Sequence, residues 1–136
     1  MAEGRLLRFP AGLPAFEWAR RFRLAPAPQA EPFEFLESVD APGLRFVCAP
    51  MPLLAPDYPL LLDNEDRLML ELPPGGEGSL RVLCILSFPE SGPPTANLLA
   101  PLVIHVEAGV GLQLVPAEAQ YPVDFPLPRP AEEAKS

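Results

Sequence analysis

Histidine is nearly absent from this chain, which removes one class of chemistry. His105 is the only one, so no multi-histidine zinc site can be assembled, and Ile104 and Val106 on either side place it on a strand as a packed or surface residue. Cysteine is scarce as well. Cys48 and Cys84 each lie inside an apolar run, LRFVC and LRVLCILSF, where a free thiol behaves as a small hydrophobe. Buried thiols in a reducing compartment are expected rather than a disulfide. The chain lacks a GxSxG elbow, a Walker A loop and a dinucleotide fingerprint; Gly109 and Gly111 fall in an expected hairpin, outside the strand-loop-helix setting that cradles phosphate. No stretch approaches the ~18 to 20 apolar residues of a membrane span. The opening MAEGRLLRFPAGLP has no apolar core of signal-peptide length, so a cytoplasmic protein with no membrane contact is expected.

Positive charge is also in short supply. Ten Lys and Arg face 18 Asp and Glu, a formal net charge of −8, and such a surface repels phosphate backbones. Direct nucleic-acid binding is therefore disfavoured. Arg5, Arg8, Arg20, Arg21 and Arg23 cluster near the start, but without interleaved aromatics they read as a solvated face. Carboxylates are plentiful, yet the sequence sets no two of them at a catalytic separation, so an enzyme is unsupported and no cofactor is expected.

What is abundant is proline, 21 residues in a chain of 136 that is 49% hydrophobic. Proline interrupts helices by removing a donor and crowding the preceding turn, while the hydrophobic content suffices for a folded core. The length suits about one domain, burying roughly two thirds of its unfolded surface. The expected fold is all-β, a small distorted antiparallel barrel or two packed sheets with one short helix. Residues 1–128 would form the domain and residues 129–136, charged at the end, a flexible tail.

Along the chain, Arg5 to Phe9 reads as a strand stopped at Pro10, followed by a Gly12–Pro14 loop. Phe16 to Arg21 is expected to make one helical turn before Phe22-Arg23-Leu24 extends again. Phe33 and Phe35 would share one strand face, and Leu44, Phe46 and Cys48 another, with Asp40-Ala41-Pro42-Gly43 as the turn between them. Asp63-Asn64-Glu65-Asp66 concentrates oxygen ligands but lacks the spacing and central glycine of a calcium loop. Helix entry explains it: Asp63 caps, Glu65 and Asp66 complement the helix dipole, and Leu68, Met69 and Leu72 supply an apolar face. The predicted helix spans about residues 64 to 71 and ends at Pro73-Pro74-Gly75-Gly76. Leu80 to Phe88 is nearly continuous apolar sequence and suits a central strand buried on both faces. Leu102–Glu107 and Leu112–Val115 form a hairpin joined by Ala108-Gly109-Val110-Gly111.

Several words of the sequence occur in the order found in one family. Phe9-Pro10-Ala11-Gly12-Leu13-Pro14-Ala15-Phe16-Glu17 resembles an opening "FPxGxPGFE" loop, and Pro32-Phe33, Leu36-Glu37-Ser38 and Leu44-Arg45-Phe46-Val47 with Pro50 resemble "PF..LQS" and "LAFVV..P" strands. Pro56-Asp57-Tyr58 follows. The most specific word, Thr95-Ala96-Asn97-Leu98-Leu99-Ala100-Pro101-Leu102-Val103-Ile104, is similar nearly letter for letter to "TANLLAPIVIN", and Tyr121 falls where a late tyrosine is expected. These words resemble the FliW family of flagellar assembly factors over residues 5 to about 127. The chain departs in its hairpin, His105-Val106-Glu107-Ala108-Gly109-Val110-Gly111, which is apolar where family members commonly carry basic residues, and at Asp124-Phe125-Pro126.

The resemblance implies a non-enzymatic protein that is a monomer when free and has two partners, flagellin and the translational repressor CsrA. Freed from exported flagellin, it would bind CsrA and relieve repression of flagellin synthesis. Thr95 and Asn97 are the first candidate partner-binding residues, although Asn favours turn geometry and Thr bonds nearby backbone. Asp57 and Tyr58, in a proline-bounded loop, are the second. A flagellin-only chaperone, or a small barrel enzyme or ligand-binding domain, remains open at this point.

Overall fold

A computed structural model describes residues 4–13, 16–114 and 121–127. Alternation of apolar and polar side chains builds its first strands. In β1 (Arg5–Arg8) Leu7 is fully buried while Leu6 and Arg8 are exposed, and in β2 (Arg21–Pro26) Phe22 and Leu24 turn inward while Arg21 and Arg23 face out. Period-two alternation of this kind buries one face and wets the other. Next come β3 (Glu34–Ser38) and β4 (Arg45–Pro50), each pairing antiparallel with its predecessor. The Asp40–Gly43 turn joins them as expected. Its Gly43 has φ +100°, and Ser38 Oγ accepts the Ala41 N–H.

The strand β5 (Leu80–Ser87) is the centre of the fold. It pairs with β4, with β6 (Thr95–Ala96) and with β7 (Leu102–His105), and β7 pairs with β8 (Val110–Gln113). A single parallel step between Arg8 of β1 and Val110 of β8 closes a seven-stranded barrel of β1 to β5, β7 and β8. There the Arg8 N–H donates to the Gly109 carbonyl (2.8 Å) and the Arg5 side chain to the Val106 carbonyl (2.6 Å). All other pairings are antiparallel, including that of β6 with β9 (Phe125–Pro126) outside the ring.

Both faces of β5 are covered, as its continuous apolar sequence requires. Leu83 and Ile85 point into the barrel, which is filled by Leu7, Phe9, Phe22, Leu36 and Ile104 among others; Phe9 and Phe22 meet edge-on at 5.2 Å. Cys84 and Leu86 point outward into a second cluster with Met51, Ala96 and Leu98. Each fully buried Leu or Phe contributes about 1.5–3 kcal/mol relative to exposure. Both cysteines are buried free thiols. Burial pushes Cys48 up to about 12 and Cys84 to about 11, the latter opposed in part by the Ala49 backbone; the Cys84 thiol donates to the Ala49 carbonyl at 3.4 Å.

Two short helices flank the barrel. The unexpected one is α1 (Met51–Leu54), started by Pro50 and Pro52 and anchored by Met51. The second, α2 (Asn64–Met69), begins with a reciprocal cap: Asp63 Oδ1 accepts the Asp66 N–H (2.8 Å) and Asp66 Oδ2 accepts the Asp63 N–H (3.1 Å). Those carboxylates are therefore engaged with backbone, and among the described residues no group of three or more His, Cys, Asp or Glu is placed to hold a metal.

Four local expectations are corrected. Phe16 to Arg21 makes no helical turn; Phe16 forms a β-bridge with Leu13, a turn follows, and β2 begins at Arg21. The reason is Gly12, at φ +68°, where a Cβ would lie 2.5 Å from the Glu17 backbone, so the loop folds back on itself instead of coiling. Next, α2 ends at Met69, ahead of the proline-glycine cluster. Glu71 takes a left-handed φ of 54° while its N–H and that of Leu72 satisfy the Leu68 and Arg67 carbonyls, a Schellman ending without glycine. The hairpin turn lies at residues 106–109, so Val110 and Gly111 are strand; Val115 lies outside the described residues. Gly111 is needed there because a Cβ would meet the Phe9 ring at 2.4 Å. Finally, Phe33 precedes β3 instead of sharing the strand with Phe35. The expected tail, residues 129–136, lies outside the described residues.

His105 is packed, 4% exposed, on the outer face of β7. Its Nδ1 lies 2.7 Å from the Leu70 carbonyl at the end of α2. Because a carbonyl only accepts, Nδ1 carries the proton, and the imidazole pins the helix to the barrel.

Candidate partner-binding site

The end of the barrel where β4 begins and β5 and β8 finish gathers the loops that carry most of the distinctive sequence. Antiparallel pairing of β4 with β5, and of β7 with both β5 and β8, fixes those termini on one side. The loop from Phe9 to Arg20 and the segment from Phe88 to Pro101 therefore meet there. Between them lies a cleft of ≈ 340 Å³. Its lining is apolar at Leu13, Phe16, Phe46, Ile85 and Ala100 and polar at Asn97 and Gln113.

Asn97 is the keystone of its loop. Its Oδ1 accepts the N–H groups of Leu99 (3.0 Å) and Ala100 (3.1 Å), while its own N–H donates to the Ile85 carbonyl (2.9 Å). An Asx-type turn of this kind substitutes a side chain for missing backbone partners. Thr95 sits two residues earlier on β6, half-buried and paired with Ser87 on one side and Pro126 on the other. Ala96 and Leu98, which flank Asn97, turn into the outer cluster beside β5.

Tyr58 packs against that same cluster, and Asp57 precedes it in the chain. The Tyr58 N–H donates to the Ala55 carbonyl (3.0 Å), closing the turn after α1 and leaving Asp57 exposed. The Tyr58 ring packs on the Tyr121 ring at 4.6 Å, and both lie against the cluster that holds Ala96 and Leu98. Burial, with the neighbouring Tyr121 phenol adding to it, raises the Tyr58 pKa. Tyr58 thus packs against the same buried cluster as Ala96 and Leu98, with the exposed Asp57 next to it in the chain.

Charged groups elsewhere are tied into the fold. Asp40 accepts the N–H groups of Arg20 and Arg21 and two side-chain bonds from Arg21, whose guanidinium chiefly holds its carboxyl below the usual range. Arg81 grips both Glu34 oxygens across β4, a bond that raises its own pKa. Burial raises Asp66, opposed by the N–H it caps. These shifts have structural causes, and none of these groups lines the cleft.

Gln113 is a site residue that the sequence reading missed. Its signal was a polar side chain at an inward position of an otherwise apolar strand, VGLQ, whose Leu112 and Val110 face outward. Among the described residues no helix is long and apolar enough to cross a membrane.

The FliW protein family model matches residues 1–127. The flagellar assembly factor FliW of Syntrophomonas wolfei is 33% identical over 131 residues, covering 96% of this chain and 83% of that protein. The one from Geotalea uraniireducens is 32% identical over 134 residues, covering 98% and 81%. A crystal structure of the flagellar assembly factor FliW superposes with a TM-score of 0.81 at 30% identity, covering 92% of this chain and 87% of that one. With barrel, loop words and sequence in agreement along nearly its whole length, the chain belongs to the FliW family of flagellar assembly factors.

Proposed function

We propose that this protein binds flagellin and the translational repressor CsrA in the cytoplasm, and that its capture of CsrA relieves repression of flagellin synthesis. The observation that carries this reading is its kinship with flagellar assembly factors along 96% of the chain. It acts by occupancy, without catalysis or a cofactor. The partly exposed Tyr58, Thr95 and Asn97 and the exposed Asp57 supply candidate contacts, since rigid scaffolds commonly present binding residues on loops. The free protein is a monomer in this reading.

Titration calorimetry of the purified full chain with purified flagellin and with purified CsrA at low salt tests the proposal. Binding to both supports it, and failure to bind either partner overturns it. Binding to flagellin alone makes the protein a flagellin-only chaperone. The hairpin favours that second reading to a degree, because its turn offers one acidic side chain, Glu107, and no basic one.

A further inference from the structure

We propose that the cleft at the end of the barrel is a receptor for an uncharged peptide segment, seating one bulky apolar side chain and pairing that residue's backbone amide with Gln113 and Asn97. The argument begins with the orientation of two side-chain amides. Asn97 Oδ1 accepts two backbone N–H groups, so its Nδ2 must point elsewhere. Gln113 Nε2 donates to the Ala100 carbonyl (3.0 Å), and because a carbonyl only accepts, Oε1 is the atom left over. Neither Nδ2 of Asn97 nor Oε1 of Gln113 has a hydrogen bond among the described residues. The two polar lining residues therefore carry between them one free donor and one free acceptor, the complement of a peptide group's C=O and N–H.

The remaining wall selects against charge. Leu13, Phe16, Phe46, Ile85 and Ala100 bring no ionisable group, so a charge seated there would shed water without gaining a partner. At ≈ 340 Å³ the cleft stands at the small end of ligand sites, enough for one large side chain with its flanking amides. Trp18, 60% exposed, meets the Phe16 ring edge-on at 6.4 Å and carries the apolar surface out of the cleft onto the exterior. An indole at the rim is the kind of anchor that dominates peptide interfaces. The inference stands on the cleft itself, and absence of flagellin or CsrA binding would leave it intact.

The test uses ¹⁵N-labelled full-length protein titrated with acetyl-Gly-Gly-Leu-Gly-Gly-amide, its Phe and Asp counterparts, and benzene. Short peptides of this size bind at about millimolar Kd, within reach of chemical-shift titration. The Leu or Phe peptide should shift the side-chain NH₂ signals of Asn97 and Gln113, the Trp18 indole N–H and the backbone of residues 97–100 and 113. The Asp peptide should bind at least about tenfold more weakly. Ala100→Leu, which fills the cleft without removing a hydrogen bond, should weaken the Leu peptide about tenfold or more while the rest of the spectrum stays native. Shifts elsewhere, equal binding of the Asp peptide, or no shifts at about 10 mM peptide overturn the proposal. Benzene binding as tightly as the peptides, with the amide signals unmoved in every titration, reduces the site to an apolar cavity and also overturns it. If Ala100→Leu fails to fold, the wild-type titrations decide alone.

Discussion

Asn97 shows how much local architecture can rest on a single side chain. Two backbone N–H groups depend on its Oδ1, and leaving buried donors unmatched costs about 1–3 kcal/mol. Asn97→Ala should lower stability by roughly that amount in urea unfolding. Thr95→Ala, at a half-buried position with no side-chain hydrogen bond among the described residues, should change it by about 0.5 kcal/mol or less. If Asn97→Ala melts like the wild type, the turn does not depend on it. The cysteines give a second test. With Cys48 held up to about 12 and Cys84 at about 11 by burial, both are protonated at pH 8, and the thiolate is the reactive form. A thiol reagent at pH 8 should therefore label neither at an appreciable rate until the protein is unfolded, whereupon both should react. Rapid labelling of either in the native protein would refute this burial.

At the scale of elements, the barrel depends on close approach across its interior. The Phe9 ring sits on Gly111 of β8 where even a methyl group would intrude at 2.4 Å. Gly111→Ala should then cost about 1–3 kcal/mol by overpacking, and Phe9→Leu in the same chain should recover part of that loss. The two changes should be strongly non-additive in chemical unfolding; simple additivity would show that Phe9 does not fill the space above Gly111. How far such elements can be read from sequence depends on the range of their causes. The buried strand Leu80–Ser87 and the cap at Asp63 are legible because run length and cap chemistry are local. The close of the barrel is not, since it rests on one parallel step between Arg8 and Val110, 102 positions apart in the chain, and no local pattern encodes that step. Likewise Phe16 looks helical until Gly12 is seen to fold the chain back through the Leu13–Phe16 bridge. The cleft draws its walls from residues 13 to 113, and only the pairing of β4, β5, β7 and β8 shows that they meet.

For the whole molecule, charge is the feature that bears on the proposed regulation. Six of the ten basic residues, Arg5, Arg8, Arg20, Arg21, Arg23 and Arg45, lie on or beside β1, β2 and β4. The stretch from Asp57 through Asp63, Glu65 and Asp66 is acidic, and Asp57 and Glu65 in it are exposed. On the proposed function, docking beside the RNA-binding surface of CsrA through Tyr58 and its exposed neighbours would bring that acidic stretch near RNA phosphates without occupying their site. Two exposed charges several ångströms apart interact by about 1 kcal/mol, so several carboxylates acting together are needed for a tenfold loss of RNA affinity, about 1.4 kcal/mol. Coupling of this kind is reciprocal: RNA should weaken binding of the protein to CsrA by the same factor, and both effects should shrink as salt screens the charges. Asp57→Asn with Glu65→Gln should reduce the coupling while leaving the fold intact, because neither side chain is buried. Titrating RNA into the complex of this protein with CsrA distinguishes the mechanisms. Coupling gives a finite shift in apparent affinity that saturates, together with a ternary complex visible by size-exclusion chromatography. Competition for one groove lets sufficient RNA displace all of the bound protein, and that result, or a coupling unaffected by salt, would show that the acidic stretch does not act from beside the site.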